Sequence, residues 1–263
     1  MTSSARWSDL VTRIISAAAL LLMAIGASLY GRLGFGLFTA AVCGCMAWEL
    51  ARMHAPRLPG GAWIAGVVTA VLVIAQGPSL IILGVFVTMF LGLIVALALG
   101  LSMSRDQPVF AVYWMAILLT AQVMLVLFQP VFAHLLLLLI AVVIATDIFG
   151  YFAGRILGGP KFWPRISPKK TWSGVVAGWM ASALVGIVVM IVWNGSLILP
   201  ILAVLMSLAS QLGDIAESAI KRRAGVKDTS DLIPGHGGFM DRFDGIVGAA
   251  MVVFFAFVVE LAL

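Results

Sequence analysis

Charged residues are scarce in this sequence, and their scarcity decides its class. Of 263 residues, only 10% are charged and 63% are hydrophobic, whereas soluble domains carry about 25% charged and roughly 45–50% apolar residues. Long polar linkers are also lacking, because apolar segments recur from residue 14 to residue 262. The composition excludes an ordinary soluble domain and predicts a single membrane domain over residues 1–263.

Cysteine and histidine are too few and too scattered for a disulfide framework or a zinc site. Cys43 and Cys45 lie inside an apolar run and are expected to be packing residues. His54, His134 and His236 are far apart, and no pair has the i, i+4 spacing of a helical metal site. The sequence also lacks the Gly-rich patterns of P-loop and dinucleotide-binding folds, so neither fold is indicated.

Nine apolar segments are long enough to cross a bilayer as helices, which takes about 20 residues each. Proline and glycine interrupt the chain between them, for example at Gly77-Pro78 and Gln129-Pro130. The prediction is an all-α polytopic bundle, with N-terminal spans over about 14–128 and a C-terminal catalytic half over about 134–263. The nine expected spans are 14–30, 34–50, 62–77, 79–102, 110–128, 134–153, 174–193, 196–213 and 245–262.

The distribution of basic residues predicts the orientation. With nine spans and a cytoplasmic N-terminus, fifteen of the sixteen Lys and Arg residues fall on the cytoplasmic side, and only Arg32 falls outside. The net charge of +5 is attributed to anionic lipids and substrates rather than to nucleic acid, because no basic stretch with interleaved aromatic residues lies outside the membrane loops. We expect the inner (plasma) membrane, with the chemistry in two cytoplasmic loops, about 154–173 and 214–244.

Acidic residues concentrate in the second of these loops. The eighth span passes into charge without a helix breaker, so Asp214, Glu217, Ser218 and Lys221 are predicted to share one helical face. A plain ion pair with Lys221 at a wet interface is the alternative interpretation of these acids. Asp241 and Asp244 add a second acidic pair where the ninth span begins.

Carboxylate oxygens in this number suit a hard divalent cation, Mg²⁺ in particular. Basic residues interleaved with the acids can neutralise phosphate oxygens, so the combination indicates phosphoryl or nucleotidyl transfer. The stretch Pro234 to Gly238 offers exposed amide donors, as phosphate-binding loops do, although a Gly-rich turn between two helices is the commoner use.

Three further features are candidates outside that loop. The stretch Ser167 to Trp172, SPKKTW, sets two cations and two hydroxyls beside an aromatic residue, with ordinary positive-inside lysines as the alternative. Asp147 is the one carboxylate placed well inside a span, which makes it a functional candidate. Glu49 and Glu260 lie near span ends, and we expect both to face water.

The stretch Ser218 to Asp244, SAIKRRAGVKDTSDLIPGHGGFMDRFD, resembles the signature of the CDP-diacylglycerol synthases (phosphatidate cytidylyltransferases), with each fixed position filled. The SPKKTW element and the Gly213-Asp214 step resemble further elements of that family. These motifs lie in the C-terminal half, and the N-terminal spans match only in being hydrophobic. One departure is Ser173, where the family pattern predicts a glutamate.

The resemblance implies that phosphatidate attacks the α-phosphorus of CTP and releases pyrophosphate, that a divalent metal is required, and that the enzyme forms a homodimer. We predict that Asp214 and Asp241 hold Mg²⁺, with Asp244 and Glu217 completing or orienting the metal shell. A second cation, monovalent or divalent, is left open. The predicted catalytic residues are Lys221, Arg222, Lys227, Asp228, His236 and Arg242. The predicted substrate-binding residues are Ser167, Lys169, Lys170, Ser218, Gly237, Gly238 and Asp147.

Two other classes of membrane protein remain as alternatives. A transporter or flippase for an anionic solute would place charges near the midplane of several spans, whereas here that charge is nearly limited to Asp147. A CDP-alcohol phosphotransferase would carry a D-G-x-x-A-R pattern, of which only Asp244-Gly245 is present.

Overall fold

The computed structural model describes residues 3–55, 59–76 and 81–262, with side chains for residue 12 and for 14–55, 61–76 and 90–260. The break predicted at Gly77-Pro78 lies outside these residues. Within them the chain forms nine α-helices, one short 3-10 helix (Pro130–Phe132) and one two-stranded sheet. The helices are α1 (Ser3–Leu29), α2 (Gly31–His54), α3 (Pro59–Ala75), α4 (Ile81–Ser102), α5 (Gln107–Leu127), α6 (Ala133–Ile156), α7 (Trp172–Val192), α8 (Ile198–Ala224) and α9 (Met240–Ala262).

Each helix overlaps one of the nine apolar segments predicted from the sequence. Within the described residues, α2, α5, α6, α7, α8 and α9 are long and apolar enough to cross a membrane, while α1, α3 and α4 carry shorter apolar stretches. The prediction of a helical, polytopic membrane protein is therefore confirmed. Nine crossings and a cytoplasmic N-terminus stay predictions.

The eighth helix continues beyond its apolar segment, as predicted. α8 has 27 residues and is therefore about 40 Å long at 1.5 Å per residue, which exceeds a hydrocarbon core of roughly 30 Å. It ends before Gly225, whose φ of +75° is a left-handed conformation that glycine adopts freely. The charged stretch after Gln211 is thus the last part of a membrane helix.

The loop predicted over 154–173 contains a β-hairpin that the sequence did not indicate. Strands β1 (Lys161–Trp163) and β2 (Ser167–Thr171) are antiparallel, with Lys161 opposite Thr171 and Trp163 opposite Ser167. Neither strand is long enough to show apolar alternation, and Pro168 is tolerated because a two-stranded sheet has only edge strands. Lys169 and Lys170 of the SPKKTW stretch lie in β2, which leads directly into α7.

The chain divides into two compact units that are each discontinuous in sequence. Unit 1 comprises Met1–Leu125 and Ala224–Arg242, and unit 2 comprises Val126–Arg223 and Phe243–Leu263. In unit 1, α2 and α3 approach closely at Gly44 and Gly66, where a Cβ on either residue would lie about 3 Å from the other's carbonyl oxygen. Trp114 Nε1 donates to Thr69 Oγ1 at 2.8 Å in the same core.

Unit 2 is held by small and hydroxyl-bearing residues on facing helices. Thr146 Oγ1 of α6 lies 3.0 Å from Ser182 Oγ of α7 and 2.7 Å from Ser207 Oγ of α8, and all three residues are buried. Gly174 of α7 packs on the backbone of Gly150 of α6, leaving no room for a Cβ. Small residues and interhelical hydrogen bonds are the means by which membrane helices associate, so this packing fixes the frame of the site below.

Candidate active site

Three carboxylates converge where α8 and α9 meet in unit 2. One oxygen each from Asp214, Glu217 and Asp244 lies within 4.8 Å of the others. The approach depends on glycine, because a Cβ on Gly213 would overlap the Asp244 carbonyl oxygen and lie 3.1 Å from the Gly248 Cα. We call this group the carboxylate cluster. Its donor set of hard oxygens fits a divalent metal ion.

Two lysines neutralise part of the cluster's negative charge. Lys170 Nζ lies 2.6 Å from Asp214 Oδ2, and Lys221 Nζ lies 2.7 Å from Glu217 Oε2. Ser218 Oγ donates to Asp214 Oδ1 at 3.3 Å, so the predicted sharing of one helical face is confirmed. With all three acids ionised, the carboxylates would outnumber the two ammonium groups, and a bound cation would balance the remaining charge.

A pocket of about 480 Å³ adjoins the cluster, and Asp214 lines it. Its other charged lining residues are Asp147 and Arg155 of α6 and Lys169 and Lys170 of the hairpin. Lys170 also donates to the Gln211 carbonyl oxygen at 3.1 Å, which fixes its ammonium group at the pocket wall. Cations therefore outnumber acids around the pocket, which suits an anionic ligand.

Two pocket residues were missed by sequence reasoning. Arg155 Nη1 donates to Tyr151 Oη at 2.6 Å, and its guanidinium lies 5.9 Å from the centre of that ring. Both residues line the pocket. Their i, i+4 spacing is a signal that could have identified them, because Arg155 already lay in the predicted loop 154–173 and Tyr151 lies just before that loop.

Ser173, the residue that departs from the family pattern, ties the hairpin to α7. Its Oγ lies 3.0 Å from Thr171 Oγ1 and also donates to the Gly158 carbonyl oxygen. Thr171 Oγ1 in turn accepts from Gly174 N at 3.3 Å, which caps the start of α7. The serine therefore holds the turn that presents the lysines.

The Gly-rich part of the signature belongs to unit 1, where Asp241 organises it. Asp241 Oδ2 accepts from Thr229 N at 2.9 Å and Gly238 N at 2.8 Å, and lies 2.8 Å from Thr229 Oγ1. Asp241 is not a member of the carboxylate cluster found among the described residues. Its assignment as a metal ligand stays a prediction.

The remaining predicted residues are placed as follows. Lys227 and Asp228 are exposed in the loop after α8, and exposed Arg242 donates from Nε to the His236 carbonyl oxygen at 3.0 Å. Gly237 has a φ of +80°, which places the turn in the left-handed region. In unit 2, Arg222 is exposed in the last turn of α8, and half-buried Ser167 begins β2.

One expectation from the sequence was wrong. Glu49 was expected to face water, but its side chain is completely buried and four polar groups of the signature loop surround its carboxylate. Those partners lie 180 or more residues later in the chain, so no local pattern could reveal them. Glu260 is exposed.

Comparisons with known proteins find a matching family model and related sequences. Residues 11–260 match the model of the cytidylyltransferase family. The phosphatidate cytidylyltransferase of Brucella abortus (strain 2308) is 37% identical over 255 residues, which cover 94% of this chain and 93% of the relative. The enzyme of the same name from Staphylococcus saprophyticus is 43% identical over 117 residues, covering 43% of this chain and 45% of the relative.

A helical membrane protein with clustered carboxylates beside a cationic pocket has the features of a membrane-embedded nucleotidyltransferase. The chain belongs to the cytidylyltransferase family. The resemblance drawn from the signature and from SPKKTW is confirmed.

Proposed function

We propose that this chain is a phosphatidate cytidylyltransferase, which converts CTP and phosphatidate into CDP-diacylglycerol and pyrophosphate. The observation that carries the proposal is the carboxylate cluster beside a cationic pocket, on a chain that matches the family over residues 11–260. A phosphate oxygen of phosphatidate forms a bond to the α-phosphorus of CTP. The bond from that phosphorus to the bridging oxygen breaks, and pyrophosphate leaves with the electron pair.

Asp214, Glu217 and Asp244 are proposed to hold Mg²⁺, which when bound would neutralise the oxygens of the triphosphate. The chain's own contribution is to keep these carboxylates converged through the Gly213–Gly248 approach, so that little rearrangement is needed on binding. Asp241 as a further ligand, and a second cation, remain part of the proposal. Glu217 is fully buried beside Lys221, which suits an acid that orients the others.

Lys169, Lys170 and Arg155 are proposed to bind phosphate groups in the pocket. A phosphate oxyanion is already nucleophilic at neutral pH, so the site needs charge neutralisation and in-line positioning more than a strong base. Lys170 pairs with Asp214 and thus joins the pocket to the cluster. In the signature loop, Lys227, His236 and Arg242 are proposed to contact the triphosphate, with Gly237 and Gly238 supplying the turn.

The lipid substrate is proposed to reach the pocket along α6. This helix lines the pocket and also has an exposed apolar surface. Ile148, Phe149 and Phe152 are about half exposed (48–55%) on the turns of α6 that carry Asp147 and Tyr151. The acyl chains of phosphatidate can remain in the bilayer while its phosphate enters the pocket. CTP, which is water-soluble, is proposed to arrive from the cytoplasm, and a homodimer remains a prediction from the family.

The test is a lipid-labelling assay with protein purified in detergent. With dioleoyl phosphatidate, radiolabelled CTP and Mg²⁺, we expect label in the lipid phase and one pyrophosphate released per lipid labelled. EDTA should abolish labelling, and added Mg²⁺ should restore it, because the three carboxylates need a cation to accommodate the triphosphate.

Well-folded protein that labels no lipid at any metal concentration would contradict the proposed function. Labelling that persists in EDTA would instead contradict the metal assignment. Monodispersity on size-exclusion chromatography provides the folding control, and boiled protein provides the background.

A further inference from the structure

A second buried acid, separate from the carboxylate cluster, has no part in the chemistry proposed above. Glu49 lies five residues before the end of α2, and its side chain is 0% exposed. A carboxylate removed from water is costly unless its oxygens are hydrogen-bonded. Its hydrogen-bond partners among the described residues all lie in the segment 229–240 of unit 1.

The four partners are divided evenly between the two carboxylate oxygens. Oε1 accepts from Ser230 Oγ at 2.5 Å and from Phe239 N at 2.9 Å. Oε2 accepts from Met240 N at 2.7 Å and lies 2.9 Å from Thr229 Oγ1. The single hydroxyl proton of Thr229 is shared between Glu49 and Asp241, so the two acids act on one network.

The two backbone donors mark the beginning of α9. Met240 is its first residue, and the first N–H groups of a helix have no partner within the helix. A negative charge at this end is favourable because it complements the helix dipole. Glu49, which belongs to α2, therefore caps the first turn of α9. The capped residue Met240 lies about one helical turn before Asp244 in the chain.

Glu49 also determines the shape of the Gly-rich turn. A Cβ on Gly238 would overlap both Glu49 Oε1 and Thr229 Oγ1. The turn thus lies directly against the buried carboxylate, and the Gly238 amide donates to Asp241 Oδ2 at 2.8 Å.

We propose that Glu49 is a positioning residue for cytidylyl transfer: from α2 it holds residues 228–242 in the conformation that binds the triphosphate of CTP. It touches no reacting atom. The inference rests on the proposed function and extends it to a residue in the N-terminal spans, outside every motif of the signature.

The test is the kinetics of Glu49→Gln, which keeps the side chain's size but turns one acceptor oxygen into a donor facing two other donors. We expect KM for CTP to rise about tenfold or more, because the loop that binds triphosphate loses its anchor. KM for phosphatidate should stay within about twofold, because the pocket lysines belong to unit 2. Hydrogen exchange at the Phe239 and Met240 amides should become faster.

Thr69→Val is the matched control, since it removes another buried hydrogen bond of unit 1, the one to Trp114. It should leave both KM values unchanged. A Glu49→Gln enzyme with a lower kcat but wild-type KM for CTP would overturn the proposal, because that pattern reports only less folded protein. Absence of lipid labelling by the wild type in the same assay would instead contradict the proposed function.

If Glu49→Gln does not accumulate in the membrane, the same KM measurements are made on Ser230→Ala. It removes one donor and leaves the carboxylate three partners. We expect a smaller rise in KM for CTP with KM for phosphatidate unchanged. A wild-type KM for CTP in Ser230→Ala would overturn the proposal.

Discussion

At the scale of single residues, the carboxylate cluster combines acids that are close in sequence with one that is distant. Asp214 and Glu217 are helical neighbours on α8, and Asp244 joins them from α9. Lys170 pairs with Asp214, and Lys221 pairs with Glu217. We therefore expect catalysis to depend on the negative charge of each carboxylate, so that an amide of the same size cannot replace it.

Asp214→Asn and Asp244→Asn test this view. Each should lower kcat by about 100-fold or more, the usual effect of removing one electrostatic stabiliser from an active site. Each should also raise the Mg²⁺ concentration needed for half-maximal lipid labelling. Glu260→Gln, the same exchange of an exposed acid on α9, should remain within about twofold of wild type. Near-normal labelling by either aspartate variant at low Mg²⁺ would rule out its role as a ligand.

Sequence reasoning at this scale succeeded for residues related by helical spacing. Ser218 contacts Asp214, and Lys221 contacts Glu217, because a spacing of four brings side chains together on any helix. Glu49 was assigned to water because it stands near the end of an apolar run. Its burial depends on Thr229 and other residues about 180 positions away, which no local pattern describes.

At the scale of secondary-structure elements, the site depends on a close approach between α8 and α9. Gly213 and Gly248 face each other there, and a Cβ on Gly248 would overlap the Ala209 carbonyl oxygen. Absent side chains let the two backbones come together, as is usual in membrane helix pairs. This contact sets the separation of Asp214 from Asp244.

Gly213→Ala should destabilise the protein, although the exchange of glycine for alanine ordinarily stabilises a helix. Alanine normally stabilises a helix by roughly 0.5–1 kcal/mol relative to glycine, but here its Cβ would overlap the Asp244 carbonyl oxygen, and overpacking typically costs about 1–3 kcal/mol. We expect a lower Tm in detergent and reduced lipid labelling. Gly26→Ala in α1, where nothing lies within 4 Å of the added Cβ, is the control. A Gly213→Ala protein at least as stable as wild type would contradict the close approach.

The hairpin shows where prediction of elements failed. Its strands of three and five residues are too short for a periodic signal. The helices were predicted because each carries a long apolar run, although several begin or end beyond that run. α2, for example, continues to His54, four residues past the predicted end.

At the scale of the whole molecule, the orientation in the membrane can be tested directly. We replace Cys43 and Cys45 by alanine and introduce Lys161→Cys in the hairpin or Asn194→Cys after α7, both exposed positions. A membrane-impermeant thiol reagent should label Asn194→Cys in intact cells, and Lys161→Cys only in inverted vesicles, because basic loops stay in the cytoplasm. The opposite pattern would reverse the predicted orientation and place the site outside the cytoplasm.

The division into two units also belongs to this scale. Unit 1 takes residues 224–242 from the signature, while the carboxylate cluster belongs to unit 2. One motif of 27 residues in sequence therefore serves two bodies of the fold. Its continuity along the chain gives no indication of that division.

The sequence by itself determined the membrane class, the helical type of the fold, the family and the acids of α8, because composition, apolar length and helical spacing are local properties of a chain. Only the tertiary structure decided that Asp244 joins Asp214 and Glu217, that Arg155 and Tyr151 line the pocket, and that Glu49 anchors the signature loop. These depend on close packing at glycines and on hydrogen bonds between residues distant in sequence, and such contacts exist only after the helices have assembled.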